Sequence, residues 1–276
     1  MSMKPMEFPA AWIDPGHAWL TALAAAGRLP STIETRRRKL RAFAAWVGKP
    51  PTKVTVMDCE AWMGRPELSS ETRKGIRATL SEFFQWACDR GVVSVNPAAD
   101  LPKAKQSRPH PRPCPDSVIL RALSRATPSE TVMLRLGAEC GLRRFEIAKV
   151  HSADVMDDLL GRSLVVRGKG DVQRIVPISD DLAEEVIACD GYVFPGRWGG
   201  HVEASYVGRH LACLLGKPWT AHSLRHRYAT VTYSATHDIY LVSQLLGHAS
   251  VKTTMSYVAM PDERLRSGMA AVRLTS

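Results

Sequence analysis

Six prolines crowd the stretch "NPAADLPKAKQSRPHPRPCP" at 96–115, and nothing else constrains the fold of this chain so strongly. Proline has no backbone N–H and its ring clashes with the preceding turn, so neither a helix nor a central strand can run through such a tract. Lys103, Lys105, Arg108 and Arg112 keep it charged, and the composition favours an extended, semi-rigid linker. The 276-residue chain is therefore expected to divide into a unit at 1–98, a basic Pro-rich linker at 99–115 and a second unit at 116–276. With 45% apolar residues, each unit can bury a core.

The front unit reads as helical. In "STIETRRRKLRAFAAWVG" the spacing of Ile33, Leu40, Phe43 and Val47 makes one apolar stripe, and Ser31 with Glu34 has the form of a capping box. In "SSETRKGIRATLSEFFQWACDRG" Ile76, Leu80, Phe84 and Ala87 face inward, flanked by Lys74, Arg77, Ser81 and Gln85. Shorter helices at 11–26 and 55–64 complete a four-helix unit. Past the tract, helices are expected at 116–126 and 129–140, and again over most of the chain from Asp181 onward. Between them "SLVVR" and "RIVPI" flank "GKGD", the pattern of a β-hairpin. The fold class is thus mainly α in two domains, the second a mixed α/β domain, mostly helical with a small β-hairpin or sheet.

Charge narrows the function. Thirty-seven Lys and Arg against twenty-seven Asp and Glu leave a formal charge of +10, which suits a polyanion, nucleic acid first. The six cysteines form no C-x-x-C pair, the pattern of reduced intracellular thiols. No apolar run reaches the roughly 18 residues of a membrane span, and the first residues lack a signal-peptide core. A cytoplasmic, nucleoid-associated protein is expected. The one acidic cluster, "DVMDD" at 154–158, reads as a solvated turn before the hairpin and not as a metal site.

Without metal, chemistry on a phosphodiester needs fixed cations, and arginine's planar fork matches phosphate best. "CGLRRFEIAKV" offers Arg143 with Glu146 three residues on, close enough on a helix for the carboxylate to hold the guanidinium. "AHSLRHRYAT" offers His222 and Arg225 on one face. His222 and His226 at i, i+4 would also suit a metal pair, but the Glu of H-E-x-x-H is missing. "LLGHASVKTTMSY" offers His248, exposed by a helix end at Gly247, and Tyr257. Lys169 occupies the hairpin tip. Taken singly, each has an ordinary explanation: a surface ion pair, a solvated turn lysine, a core tyrosine.

Taken together, "GLRRFE", "GKG", "HSLRH", "LGHASVKTT" and a tyrosine nine positions after His248 resemble the tyrosine recombinases, or phage-type integrases. The match is specific over 141–257 and looser over the front helices and "NPA" at 96–98. The resemblance implies a helical DNA core-binding domain followed by a catalytic domain, enclosing a duplex between them. It implies that Tyr257 attacks the scissile phosphate to form a 3′-phosphotyrosyl link, with His222 taking the proton. Arg143, Arg225 and His248 would hold the non-bridging oxygens, and Lys169 would protonate the departing 5′ oxygen. Glu146 would support the arginine site, with no metal and no cofactor. Double-stranded DNA is the expected partner, bound by a homo-tetramer that exchanges its C-terminal helices through Leu265, Met269 and Val272. Arg36, Arg37, Arg38, Lys74 and Arg77 are candidate DNA-binding residues. The role implied is integration or excision of a phage or other mobile element. A type IB topoisomerase and a non-catalytic DNA-binding protein are the alternatives. The chain departs from the pattern at Cys140, at Arg144, and at "YVAM", which lacks a histidine two residues after the tyrosine. With the first helix expected at 11–26, little room remains for an arm-binding domain, so a small recognition site is expected.

Overall fold

The computed structural model describes residues 7–105, 111–168, 173–247, 251–255 and 258. The chain separates into two compact units, Met1–Arg108 and Pro109–Ser276.

The first unit is built from α1 (Ile13–Ala25), α2 (Pro30–Val47), α3 (Val56–Gly64) and α4 (Ser70–Asp89). The stripes read from periodicity face inward: Leu40 and Phe43 of α2, and Ile76, Leu80, Phe84 and Ala87 of α4, are buried. Aromatic packing dominates this core. Trp12 stacks on Phe83 at 5.5 Å between ring centroids and meets Phe43 edge-on at 5.9 Å. Its indole N–H donates to the Lys49 carbonyl at 2.8 Å, so this buried ring also satisfies its polar atom. The expected Ser31–Glu34 box does not form. Helix α2 starts at Pro30, with Leu29 as its N-cap, and Glu34 instead accepts from Arg37 at 2.8 Å. Proline's fixed φ and missing N–H suit the first helical position, so the helix begins two residues early and carries Ser31 inside it. Reciprocal boxes form elsewhere, at Thr55 with Asp58 and at Thr127 with Glu130.

The described parts of the proline tract contain no helix or strand. Its front is nevertheless packed: Ala98 and Leu101 are buried in the first core, where Ser81 donates to the Ala98 carbonyl at 2.9 Å. At its end Cys114 is buried in the second core and its amide donates to the Ser223 carbonyl at 3.0 Å.

The second unit opens with α5 (Asp116–Leu123), α6 (Pro128–Ala138) and the single turn α7 (Arg144–Ile147). A three-stranded antiparallel sheet follows, β1 (Val155–Asp158), β2 (Gly161–Arg167) and β3 (Gln173–Ile178), in the order β1-β2-β3. Leu164 pairs with Val155 on one side and Val176 on the other, and Leu164, Val166, Val176 and Ile178 turn one face into the core. Pro177 lies on β3, an edge strand, where a missing donor is tolerated. The hairpin is as expected, but "DVMDD" is not a turn. Val155–Asp158 forms the third strand, because its backbone pairs with the outer side of β2 while Asp157 and Asp158 stay exposed. Among the described residues no group of three or more His, Cys, Asp or Glu could hold a metal ion. Helices α8 (Asp180–Ile187), α9 (Ala204–Leu215), α10 (Ala221–Thr236), α11 (Ile239–Leu246) and α12 (Val251–Met255) complete the unit. The core gathers Met133, Leu134 and Leu136 of α6 with Leu182 of α8, Leu211 of α9 and Leu224 of α10. All six cysteines are free, and no described helix is long and apolar enough to cross a membrane.

Candidate active site

The site grows from the turn between α6 and α7. Gly141 has φ of +63°, and a Cβ there would lie 2.4 Å from the Tyr228 ring, so only glycine fits both the backbone and the packing. Two residues on, Arg143 caps α7 in an extended conformation, and Glu146, inside that turn, reaches back to accept from the Arg143 amide at 2.7 Å. The same carboxylate accepts from Arg143 Nη1 at 2.9 Å. Glu146 thus holds Arg143 by backbone and side chain at once, and its own side chain is 0% exposed.

Helix α10 supplies the second arginine. Arg225 is fully buried, its Nη1 donating to the Gly141 carbonyl and its Nη2 to the Leu246 carbonyl at the end of α11. Nη1 also lies 3.9 Å from Glu146 Oε2. One turn earlier on α10, His222 opens onto the same cleft and meets the His226 ring at 4.6 Å between centroids. Although its edge reaches solvent, partial burial, then the charges of His226, Arg225 and Arg143, hold the His222 pKa down at about 4. The imidazole is therefore neutral near pH 7 and has a lone pair to accept a proton.

A third arginine, absent from the sequence reading, completes the cluster. Arg174 of β3 donates through Nη1 and Nη2 to both Glu146 oxygens at 2.8 Å and through Nε to the Leu245 carbonyl at 2.8 Å. Its one sequence signal is a cation inside the apolar arm "RIVPI". Burial alone would raise the Glu146 pKa, but the hydrogen bonds and charge of Arg174, the Arg143 amide and the charge of Arg225 hold it below its ordinary value. Glu146 is thus an anion shared by three guanidinium groups. The cluster keeps a net positive charge beside a cleft of about 420 Å³ lined by Arg143, Arg144, Phe145, Thr220, Ala221, His222 and Arg225. Such a cleft suits an anion.

The structure therefore brings together Arg143, Glu146, His222 and Arg225. Lys169, His248 and Tyr257 lie outside the described residues, as do Leu265, Met269 and Val272. Helix α11 does end at Gly247, in the left-handed conformation at φ +61°, as expected for the residue before His248. In the first unit the basic candidates divide. Arg36 is turned inward, donating to Thr79 Oγ1 at 2.9 Å and pairing with Glu82 at 3.0 Å. Arg77 donates to the Leu101 carbonyl at 2.7 Å, and Arg37 pairs with Glu34. Arg38 and Lys74 are exposed.

Arginines from the cap of α7, from β3 and from α10 thus converge on one carboxylate beside the cleft, and comparison with known proteins gives the family. The phage integrase family matches residues 118–264. The chain is 31% identical to the tyrosine recombinase XerC of Rhodospirillum centenum, over 87% of this chain and 81% of that protein. It shares its fold with a lambda integrase tetramer bound to a Holliday junction (20% identity, TM-score 0.71, 89% of this chain and 76% of that one). It likewise shares the fold of the XerH site-specific recombinase bound to its palindromic difH substrate (18% identity, TM-score 0.69, 86% and 79%). The chain belongs to the phage integrase family and is a tyrosine-type site-specific recombinase.

Proposed function

We propose that this recombinase cuts and rejoins double-stranded DNA through a 3′-phosphotyrosyl intermediate on Tyr257. The observation that carries the reading is the cleft lined by Arg143, Arg225 and a neutral His222, with both arginines beside buried Glu146. In the reaction the Tyr257 oxygen forms a bond to the scissile phosphorus as the bond to the 5′ oxygen breaks. His222 accepts the phenolic proton, and Lys169 donates one to the departing 5′ oxygen, so charge and protons balance. A free phenol titrates near pH 10, so it needs this assistance at neutrality. Arg143, Arg225 and His248 stabilise the charge gathered on the non-bridging oxygens, work that fixed donors in a shielded site do well. The phosphodiester bond is conserved in the covalent link, and a 5′-hydroxyl of another strand reverses the step without nucleotide hydrolysis.

In this reading residues 1–98 form a DNA core-binding domain, 99–115 a linker and 116–276 the catalytic domain. Arg38 and Lys74, being exposed, serve as phosphate contacts, with Arg37 beside them. The working form is a homo-tetramer on DNA that exchanges C-terminal helices. The biological role is integration or excision of a phage or other mobile element, in the cytoplasm at the nucleoid. A nicked suicide substrate carrying the recombination site tests the chemistry: the protein becomes covalently attached to DNA, and Tyr257→Phe does not. A Phe variant that still traps DNA rejects the nucleophile. Mapping the junction in the host genome tests the role. Junctions at the ends of an inserted element support it, and a fixed locus without one replaces it with chromosome or plasmid resolution.

A further inference from the structure

Glu146 has a capacity that the cluster fills. A carboxylate offers about four acceptor sites. Here they are taken by the Arg143 amide, Arg143 Nη1, and Arg174 Nη1 and Nη2, at 2.7 to 2.9 Å. Arg143 and Glu146 are three residues apart on one turn, a spacing that would let the guanidinium close on the carboxylate in a bidentate fork. It does not close. Arg143 gives one nitrogen, and its side chain stays 29% exposed at the cleft, while Arg174, 9% exposed, takes the fork. Arg174 is itself over-determined. Its Nε bonds the Leu245 carbonyl at 2.8 Å, and its Cδ passes where a Cβ on Gly247 would lie 2.9 Å away. Strand β3 and the end of α11 therefore lock this guanidinium against Glu146.

We propose that Arg174 is a positioning residue: by occupying the Glu146 fork, it keeps the carboxylate from closing on Arg143 and leaves the outer edge of the Arg143 guanidinium open to a DNA phosphate. Among the described residues the Arg174 guanidinium donates to Glu146 and to the Leu245 carbonyl, and its role is exerted through Glu146. The inference rests on the reading of the cleft as a phosphate site. Without Arg174, Glu146 turns its full charge on Arg143, and phosphate has to compete with an internal anion already in contact.

Inorganic phosphate, titrated into the full-length chain and followed by the Nε–H NMR signal of Arg143, tests this. Arg143→Lys assigns the signal. Arg174→Met should weaken the phosphate response by roughly tenfold, the loss of one bidentate charged contact. Arg174→Met combined with Glu146→Gln removes the competing anion together with its partner. It should bind phosphate at least about threefold more tightly than Arg174→Met alone, a recovery for which mere loss of a structural cation gives no reason. Arg174→Lys, which retains the charge but only a point contact, should fall between and serves if the Met variant does not fold. An unchanged response in a folded Arg174→Met or Arg174→Lys protein overturns the proposal, as does a folded double variant that binds no better than the single one. A parent protein whose Arg143 signal ignores phosphate overturns the reading of the cleft itself.

Discussion

Replacing Glu146 by Gln removes one charge from the centre of the second unit while leaving its volume unchanged. The carboxylate accepts four hydrogen bonds, and the Gln amide reproduces only part of that set, turning two N–H groups toward guanidinium donors. At an effective dielectric of about 20, unit charges roughly 4 Å apart interact by about 4 kcal/mol, so losing attraction to Arg143 and Arg174 outweighs the desolvation that a neutral side chain avoids. Breaking one partner out of a buried ionic cluster costs about 3–5 kcal/mol. In a unit of this size each kcal/mol moves the midpoint by roughly 2–4 °C, so Glu146→Gln should lower it by about 10 °C. Thermal unfolding followed by near-ultraviolet circular dichroism reads this, with Glu139→Gln as the control. Glu139 pairs with Arg135 but is 41% exposed, and its loss should cost less than about 1 kcal/mol. Because the folded Glu146 pKa lies below its ordinary 4.5, the advantage of the parent over the Gln variant is full above that pH and shrinks on further acidification. A Glu146→Gln protein within about 1 kcal/mol of the parent at pH 7 would refute the view that one anion holds three guanidinium groups in place.

Four further outcomes are expected. His222 acts as a base when neutral, so kcat/KM for DNA cleavage should hold from pH 8 down to about pH 5 in this group's contribution and fall only toward 4. Burial is the main cause of the low pKa and the charge of Arg143 the least, so Arg143→Gln should move that limb up only slightly, and a limb already near 6.5 in the parent would contradict the assigned environment. Gly141→Ala puts a methyl group 2.4 Å from the Tyr228 ring at positive φ; the second unit should lose more than about 3 kcal/mol of stability in denaturant melts. Gly247→Ala forces Arg174 aside at 2.9 Å, and suicide-substrate trapping should drop at least about tenfold while duplex affinity holds. In the first unit, Arg38→Ala and Lys74→Ala should each reduce the salt slope of duplex binding by about 1, whereas Arg36→Ala should lower the melting midpoint instead, because its guanidinium is spent on Thr79 and Glu82.

Much of this protein was legible residue by residue. The buried stripes of α2 and α4, the β2–β3 hairpin, the helix end at Gly247, the Arg143–Glu146 pair and the placing of His222 and Arg225 on one helix are local, set by periods of two and 3.6 residues, by turn chemistry and by short motifs. The family was legible for the same reason, since its signature is a series of short blocks. Three features were not. Which face of "DVMDD" would pair became a question only once β2 offered a free edge. Arg36 and Arg77 look like their exposed neighbours in a basic run and are distinguished only by the Thr79, Glu82 and Leu101 atoms that folding brings beside them. Arg174 is 28 positions from Glu146 and 71 from Leu245, and nothing in a periodic pattern carries information over such separations. Local rules decide which elements exist. Charge pairing between elements is decided by packing, because a buried guanidinium has to find its partners in space wherever the chain has put them.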